Sequence, residues 1–362
     1  MKIKANTFVG DFGQMVKSFT ILDKSYPAVR AEEIKLLNAF TDFSGKTAAK
    51  GVTGIRNEGE QTILEVEPFY YRRDFEVSSE QFAFCKADIS EVETELADDF
   101  EACEKYDVRY RLYEPACKGP RPLVLFLHGG GEIGYDNWKQ MTSTIGAAEW
   151  AKRFPDIYVM APQAPGVFNE SEVVTKSFLK DVNYAPFQQP IELPNTAGFG
   201  WNREYLSDIC TIIREMISAG KVDGRRVYVT GLSMGGGGTL RILAVDRDLF
   251  AAAAPICPSM TGETFDIIKS LGNFKLWIST AYVDYNYSRH KYIVDAMMYL
   301  KERGNQEARL TLYSHEELAK YGLGSNYDLS IDERMVENHQ SWVLTYHNEY
   351  GIMDWLLAQV KE

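Results

Sequence analysis

The residues with the clearest chemical signature are 231–235, Gly-Leu-Ser-Met-Gly, which follow the pattern G-x-S-x-G. They come directly after the apolar run VYVT and before the glycine-rich segment GGGGTLRILA, which has the pattern of a helix start. A serine on a sharp strand–turn–helix corner is exposed to reactants, and flanking glycines remove side chains that would clash there. We therefore predict that Ser233 is a nucleophile; a glycine-rich turn without chemistry is the alternative.

A second glycine-rich segment, HGGGE at 128–132, follows the apolar run PLVLFL. Attack on an acyl carbon builds negative charge on the carbonyl oxygen, and this charge needs N–H donors held in place. The expected donors are a loop amide and the amide after the nucleophile, here Gly130 and Met234. Glu132 either orients this loop or faces solvent. A phosphate-binding loop is the alternative, but neither G-x-x-x-x-G-K-[ST] nor a nearby lysine is present.

A serine hydroxyl needs a base that takes its proton, and the base needs an orienting acid. In this arrangement the chain order is serine, acid, histidine. Asp284 follows the apolar run KLWIST and is the candidate acid, with a helix-capping or surface aspartate as the alternative. Among the later histidines, His290 and His347 lie in or near helical patterns. His315 ends the last strand, and His339, in the loop after it, is favoured because a loop lets the ring reach over the sheet edge.

The elements that must position these residues begin near residue 106. Apolar runs typical of strands buried on both faces alternate there with helical periodicity, which predicts an open, mostly parallel α/β sheet. The predicted strands are 109–113, 122–127, 157–161, 227–230, 251–256, 275–279 and 309–313. The predicted helices are 205–219, 289–303 and a last one that includes residues 352–360.

The first hundred residues have a different pattern. Short, often alternating segments at 16–22, 34–40, 50–55 and 61–66 are separated by turn formers, which predicts a small antiparallel β domain. The acidic stretch 88–104 has almost no strand pattern and is predicted to be a connector or a solvated helix. The predicted domains are therefore 1–100 and 101–362.

Composition limits the partners of this 362-residue chain. A net charge of −12 repels phosphate backbones and anionic lipid surfaces, so we expect neither nucleic acid nor membrane as a partner. The sequence has no signal-like or membrane-spanning apolar run, which predicts a cytoplasmic protein unless a signal peptide has been removed. The five scattered cysteines form no CxxC pair, and we expect no metal or cofactor. Homo-oligomer formation stays open.

From about residue 106 to 360 the sequence resembles the α/β-hydrolase superfamily, in particular esterases related to polyhydroxybutyrate depolymerases and feruloyl esterases. The motifs LFLHGGGEIGYDN, APQ, GFGWN, VYVTGLSMGG, APIC and HQSW…DWLLAQ carry this resemblance. The leading β-rich segment is similar to the immunoglobulin-like domain that precedes the catalytic domain in some of these enzymes. The resemblance implies Ser233 as nucleophile, Asp284 as acid, His339 as base, and Gly130 with Met234 as oxyanion donors.

The resulting prediction is a carboxylesterase that acts on a small-molecule or polymer-attached ester through an acyl-enzyme. Gln163 and Trp201 are predicted to line the mouth of the site, with core packing as the alternative for the tryptophan. Two long irregular segments, 166–200 and 316–338, follow strand ends and depart from the resemblance. A serine peptidase of the same fold and a catalytically silent binding protein are the alternative functions.

Overall fold

The computed structural model describes residues 1–39, 50–166, 200–282, 284, 287–323 and 338–362, with the backbone alone at 287–291. The chain divides into two compact units. The first comprises Met1–Phe100 and Met141–Ala148, and the second comprises Glu101–Gln140 and Glu149–Glu362. None of the helices in these described ranges has the length and apolar character needed to cross a membrane.

The first unit is β-rich, as predicted. Its strands are β1 (Ile3–Gly10), β2 (Gly13–Ile21), β3 (Lys35–Leu37), β4 (Val52–Glu58), β5 (Gln61–Tyr70), β6 (Glu76–Ser78), β7 (Ala83–Cys85) and β8 (Ile89–Thr94). Five form one sheet in the order β4-β5-β2-β1-β8, and the other three form a sheet in the order β3-β6-β7. All neighbours are antiparallel except β1 and β8, which are parallel.

Alternation along the strands builds the core of this unit. Successive side chains of a strand point to opposite faces, so β1 buries every second residue from Ile3 onward. The buried face packs with an aromatic cluster in which the ring centroid of Phe19 lies 5.2 Å from those of Phe75 and Phe84. The ring of Phe69 lies equally close to Phe75, at 5.2 Å. An apolar core of this kind allows the short strands to form a folded unit.

The second unit is built on an eight-stranded sheet. Its strands are β9 (Glu101–Lys105), β10 (Val108–Tyr113), β11 (Arg121–Leu127), β12 (Tyr158–Pro162), β13 (Val222–Leu232), β14 (Ala252–Ile256), β15 (Trp277–Ala281) and β16 (Arg309–Tyr313). Their order is β16-β15-β14-β13-β11-β12-β10-β9. Neighbours from β16 to β12 run parallel, whereas β10 is antiparallel to both β12 and β9. The predicted mostly parallel sheet is confirmed.

The helices that the structure describes lie mainly between these strands. They are α1 (Lys139–Thr142), α2 (Gly146–Arg153), α3 (Arg203–Ser218), α4 (Met234–Asp246), α5 (Gly262–Ser270), α6 (Tyr287–Glu302), α7 (His315–Ala319), α8 (Trp342–Tyr346) and α9 (Ile352–Ala358). The residues at its two ends explain where helix α3 begins and stops. The side chain of Asn202 caps its first turn by accepting a hydrogen bond from the Tyr205 amide at 2.9 Å. Gly220, with φ 72°, follows its last turn, in the conformation glycine adopts most easily.

The acidic stretch 88–104 leads from the first unit to the second, whose boundary lies between Phe100 and Glu101, and it contains no α-helix. It supplies β8 and most of β9, so the alternative of a solvated helix was wrong. Both strands lie at the edge of a sheet, and most of their side chains are exposed. An edge strand needs no alternating apolar pattern when neither face is buried, and charged side chains protect such an edge against further pairing.

The parallel strands bring the candidate site residues to one edge. Strands β11, β13 and β15 point the same way, so their carboxyl ends meet at the same edge of the sheet. His128 follows β11, Ser233 follows β13, and Asp284 comes shortly after β15. Open α/β sheets bind ligands at this edge.

Candidate active site

Ser233 sits on a strained corner between β13 and α4. Its backbone has φ 56° and ψ −116°, a region that L-residues rarely adopt. The flanking glycines are required by contact: a Cβ on Gly231 would lie 2.5 Å from the carbonyl oxygens of Gly235 and Leu127. A Cβ on Gly235 would lie 1.9 Å from the same Leu127 oxygen. Only glycine at both positions lets the strand and the helix approach closely enough to make this corner.

Ser233, His339 and Asp284 form one chain of hydrogen bonds. His339 Nε2 lies 2.8 Å from Ser233 Oγ, and His339 Nδ1 lies 2.7 Å from Asp284 Oδ1. A carboxylate only accepts, so Nδ1 donates to it and Nε2 is left to accept the serine proton. Asp284 is fully buried, and its second oxygen accepts from Thr280 Oγ1 at 2.9 Å. The acid is thereby held rigidly, while the histidine side chain keeps 13% of its surface exposed.

The other histidines after Asp284 have different surroundings. His315 is the first residue of α7 and lines a cavity of about 280 Å³ with Tyr282 and Leu318, among others. The ring of His347 packs 4.8 Å from that of Tyr321. The side chain of His290 lies outside the described residues. Thus the structure joins His339, rather than His315 or His347, to Ser233.

The two amides predicted as oxyanion donors belong to Gly130 and Met234. Gly130 begins a 3-10 turn, Gly130–Glu132, and Met234 is the first residue of α4. Within the described parts of the chain, neither amide donates a hydrogen bond to another protein group. A helix N-terminus also carries partial positive charge. The role of these two amides as oxyanion donors stays a prediction.

Residues 195–314, which contain Ser233 and Asp284, match the Prolyl oligopeptidase family. No curated protein matches the sequence. Among solved structures, the chain is similar to a thermostable esterase, with a TM-score of 0.69 and 23% identity over 99% of each chain. The chain has the α/β-hydrolase fold. Together with the family match and the chemistry of the site, this fold makes it a serine hydrolase.

A second solved structure is more distant. An esterase of Pyrobaculum calidifontis is 15% identical, with a TM-score of 0.43 over 73% of this chain and 89% of that one. The assignment of the fold rests on the thermostable esterase, whose likeness extends over both units of this hydrolase.

His128 stabilises the glycine-rich loop of the hydrolase. It is fully buried, and its Nε2 accepts from the Ala164 amide at 2.8 Å. The other nitrogen, Nδ1, therefore carries the proton and donates to the Gly129 carbonyl at 2.6 Å. Burial lowers the pKa of His128 to about 4, so the ring is neutral near neutral pH. The ring thus links the end of β11 to the end of β12.

This buried ring predicts a loss of stability in mild acid. As the pH falls from 6.5 toward about 4, the unfolded chain binds a proton at His128 that the folded chain excludes. The free energy of unfolding should therefore decrease by about 3 kcal/mol over this interval. Urea unfolding between pH 7 and pH 4 measures the effect. His128→Gln should show a shallower pH dependence, and equal slopes in the two proteins would contradict the assignment.

The side chains of Gln163 and Trp201, which were predicted to line the mouth of the site, are both buried. Each is only 1% exposed, and each donates a hydrogen bond to the backbone of the glycine-rich loop. Trp201 Nε1 donates to the His128 carbonyl at 3.1 Å, and its indole lies against α4, where a Cβ on Gly238 would come within 2.7 Å. Glu132 is also buried, at 3% exposure, which excludes the solvent-facing alternative.

Sequence reasoning missed two supporting residues. Thr280 holds the acid, and the hydroxyl of Tyr205 donates to the Gln163 carbonyl at 2.6 Å. Thr280 lies in the apolar run KLWIST, where a lone threonine is unremarkable in sequence, and Tyr205 lies on the apolar face of a helix. Most of the segments 166–200 and 316–338, with their predicted loops, lies outside the described residues.

Proposed function

We propose that this hydrolase is a carboxylesterase that works through an acyl-enzyme on Ser233. The observation that carries the proposal is the hydrogen-bonded chain from Ser233 Oγ through His339 to the buried Asp284. The name of the similar solved structure, a thermostable esterase, points to the same reaction class.

In the first half of the reaction, His339 Nε2 takes the proton of Ser233 as Oγ bonds to the acyl carbon. The negative charge that develops on the former carbonyl oxygen is received by the amides of Gly130 and Met234. Asp284 holds the ring in the tautomer that accepts at Nε2 and stabilises the positive charge that the ring acquires.

The intermediate then collapses. The bond to the alcohol oxygen breaks, His339 returns the proton to that oxygen, and the acyl group stays on Ser233. A water molecule repeats the sequence: it loses a proton to His339, bonds to the acyl carbon, and releases the carboxylic acid as Ser233 regains its proton. No metal or cofactor enters the balance.

The substrate is proposed to be a small-molecule or polymer-attached ester. The resemblance to polyhydroxybutyrate depolymerases and feruloyl esterases supports this class, and it extends to an immunoglobulin-like identity for the β-rich unit within residues 1–100. The motifs between residues 106 and 360 support the substrate class, and the two β sheets of the first unit, of five and three strands, fit the immunoglobulin-like identity.

A serine peptidase is the second candidate. It is favoured by one observation, the match of residues 195–314 to the Prolyl oligopeptidase family. A serine nucleophile with this base and these oxyanion donors can cleave amides as well as esters, so the geometry of the site fits both reactions.

Matched substrates separate the two functions. Kinetics are measured with butyrate presented as 4-nitrophenyl ester, ethyl ester and anilide, together with a blocked glycyl-proline 4-nitroanilide. The 4-nitrophenyl ester is activated and reacts with many serine hydrolases, so the unactivated ethyl ester is included as the more selective test of esterase activity. We expect saturable cleavage of both esters and little cleavage of the anilides. Cleavage of the prolyl anilide that is faster than cleavage of the esters would assign a peptidase. Failure of a fluorophosphonate to label the protein would indicate a catalytically silent site.

A further inference from the structure

We propose that Gln163 is a positioning residue that holds the oxyanion loop, residues 128–137, in its working conformation. The inference rests on the proposed function, since it concerns the donor Gly130 in that loop. The residue acts through the loop backbone and has no contact with the reacting atoms in this assignment.

The side-chain amide of Gln163 binds the loop at three points. Its Nε2 donates to the Glu132 carbonyl and to Asp136 Oδ1, both at 3.1 Å. Its Oε1 accepts from the Asn137 amide at 2.6 Å. One buried group thus spans the loop from Glu132, the last residue of the turn that begins at Gly130, to the last residue of the loop.

Gln163 is itself rigidly placed. It follows β12, and its backbone N–H donates to the Arg109 carbonyl at 2.8 Å while its carbonyl accepts from the Tyr205 hydroxyl at 2.6 Å. Next to it, Ala164 exchanges two further bonds with the loop: its amide donates to His128 Nε2, and its carbonyl accepts from the Gly134 amide at 3.1 Å. Residues 163 and 164, just after β12, therefore fix the position of the loop relative to the sheet.

Within the loop, the buried side chains of Trp201 and His128 bond only to the first two residues, at the His128 and Gly129 carbonyls. At residues 132–137, the other side-chain bonds to the loop backbone that the structure describes come from more exposed groups. Arg109 Nη1 donates to the Tyr135 carbonyl at 2.8 Å, and Arg111 Nε donates to the Asn137 carbonyl at 2.7 Å. Water can replace an exposed donor, but it has no access to Gln163, which is 1% exposed. Loss of the buried amide would leave the Glu132 carbonyl and the Asn137 amide without their buried partner.

The bonding pattern selects a neutral amide. The loop presents two acceptors and one donor to this side chain. Binding all three requires two N–H donors and one acceptor oxygen at the end of one side chain, which glutamine has. A glutamate there would lose both donors and set its charge beside Asp136. A methionine would fill a similar volume and lose all three bonds. The pattern also explains Gly134, since a Cβ at that position would lie 2.9 Å from Gln163 Nε2.

The expected result of Gln163→Met is a fall in kcat on the order of 10²-fold with little change in KM, since a misplacement of about 1 Å near the chemistry has such an effect. The ground-state carbonyl carries little charge, so it depends less on the loop amide than the transition state does. Affinity for a trifluoromethyl ketone, which adds Ser233 Oγ to its carbonyl carbon and places an oxyanion at the donors, should fall by the same factor.

Asn305→Leu is the matched control. Asn305 is likewise a buried amide, 2% exposed, that pins backbone with both ends: its Nδ2 donates to the Gly272 carbonyl, and its Oδ1 accepts from the Glu307 and Ala308 amides at 2.7 Å. It lies where β15 and β16 begin, at the edge of the sheet opposite to Ser233. We expect this variant to lower the melting temperature as Gln163→Met does, but to leave kcat and inhibitor affinity unchanged.

Gly134→Ala provides a second variant with a smaller change, because it displaces the Gln163 amide without removing it. It should reduce kcat and ketone affinity in parallel, by a smaller factor than Gln163→Met. The proposal is overturned if a folded Gln163→Met or Gly134→Ala protein keeps wild-type kcat and ketone affinity, or if Asn305→Leu shows equal losses. Absence of Ser233-dependent esterase activity in the wild type would instead reject the proposed function.

Discussion

Replacement of Ser233 by alanine is expected to lower kcat for an ester on the order of 10⁶-fold, the size of effect that loss of a serine nucleophile has in enzymes of this mechanism. Without Oγ no acyl-enzyme forms, and His339 Nε2 loses its hydrogen-bond partner at 2.8 Å. Release of 4-nitrophenol under single-turnover conditions measures the loss. The same variant should not react with a fluorophosphonate, which labels the wild type at this oxygen.

Ser270→Ala is a suitable control for that experiment. Its hydroxyl donates to the Ile267 carbonyl at 2.7 Å, at the end of α5 and away from the site edge. This variant should keep wild-type turnover and labelling. Residual activity of Ser233→Ala within tenfold of wild type, with fluorophosphonate labelling retained elsewhere on the chain, would remove Ser233 from the mechanism and the proposed function with it.

Asp284→Asn is expected to reduce kcat by about 10⁴-fold while the protein keeps its fold. An amide in place of the carboxylate presents a donor as well as an acceptor to His339, so the ring is no longer restricted to the tautomer that accepts at Nε2. It also removes the negative charge, 2.7 Å from His339 Nδ1, that would stabilise the protonated ring. Steady-state kinetics with circular dichroism on the same sample separates loss of chemistry from loss of fold.

The control for this substitution is Asp246→Asn. Asp246 holds Arg214 through two hydrogen bonds of 2.8 Å at the far end of α4 from Ser233. It is thus a paired carboxylate whose loss should leave kcat unchanged. If Asp284→Asn lowers kcat no more than Asp246→Asn does, Asp284 is a structural aspartate and another residue must orient His339.

Elements whose sequence signal is local were predictable. Strand β16 was predicted with its observed bounds, Arg309–Tyr313, and α3 and α6 begin within two residues of their predicted starts. Continuous apolar runs and helical periodicity reflect burial of whole faces, so they can be recognised without knowledge of the neighbours. The edge strands β8 and β9 were missed for the converse reason, because neither buries a face.

The site was predictable in part. The G-x-S-x-G motif is recognisable because its two glycines are required locally. A Cβ at either position would lie 2.5 Å or less from a backbone oxygen where β13, α4 and the end of β11 meet. Asp284 and His339 were assigned by order along the chain and by resemblance, and the structure brings both to Ser233. Gln163 was predicted to line the mouth of the site, whereas its buried side chain bonds to residues 132–137 of the loop. A polar residue at a strand end looks the same in the sequence whether it contacts a ligand or binds the backbone of a neighbouring loop.

The sequence by itself determined where the chain turns sharply, which runs are buried, and which residue types are able to transfer a proton or accept a charge. These properties depend on side-chain size, φ preference and hydrophobicity over a few neighbours. Only the tertiary structure decided which histidine reaches the serine. It also decided that the buried side chains of Gln163 and Trp201 bind the backbone of the glycine-rich loop. Those relations join residues far apart along the chain, and their distances follow from how parallel strands align their carboxyl ends, which no local pattern encodes.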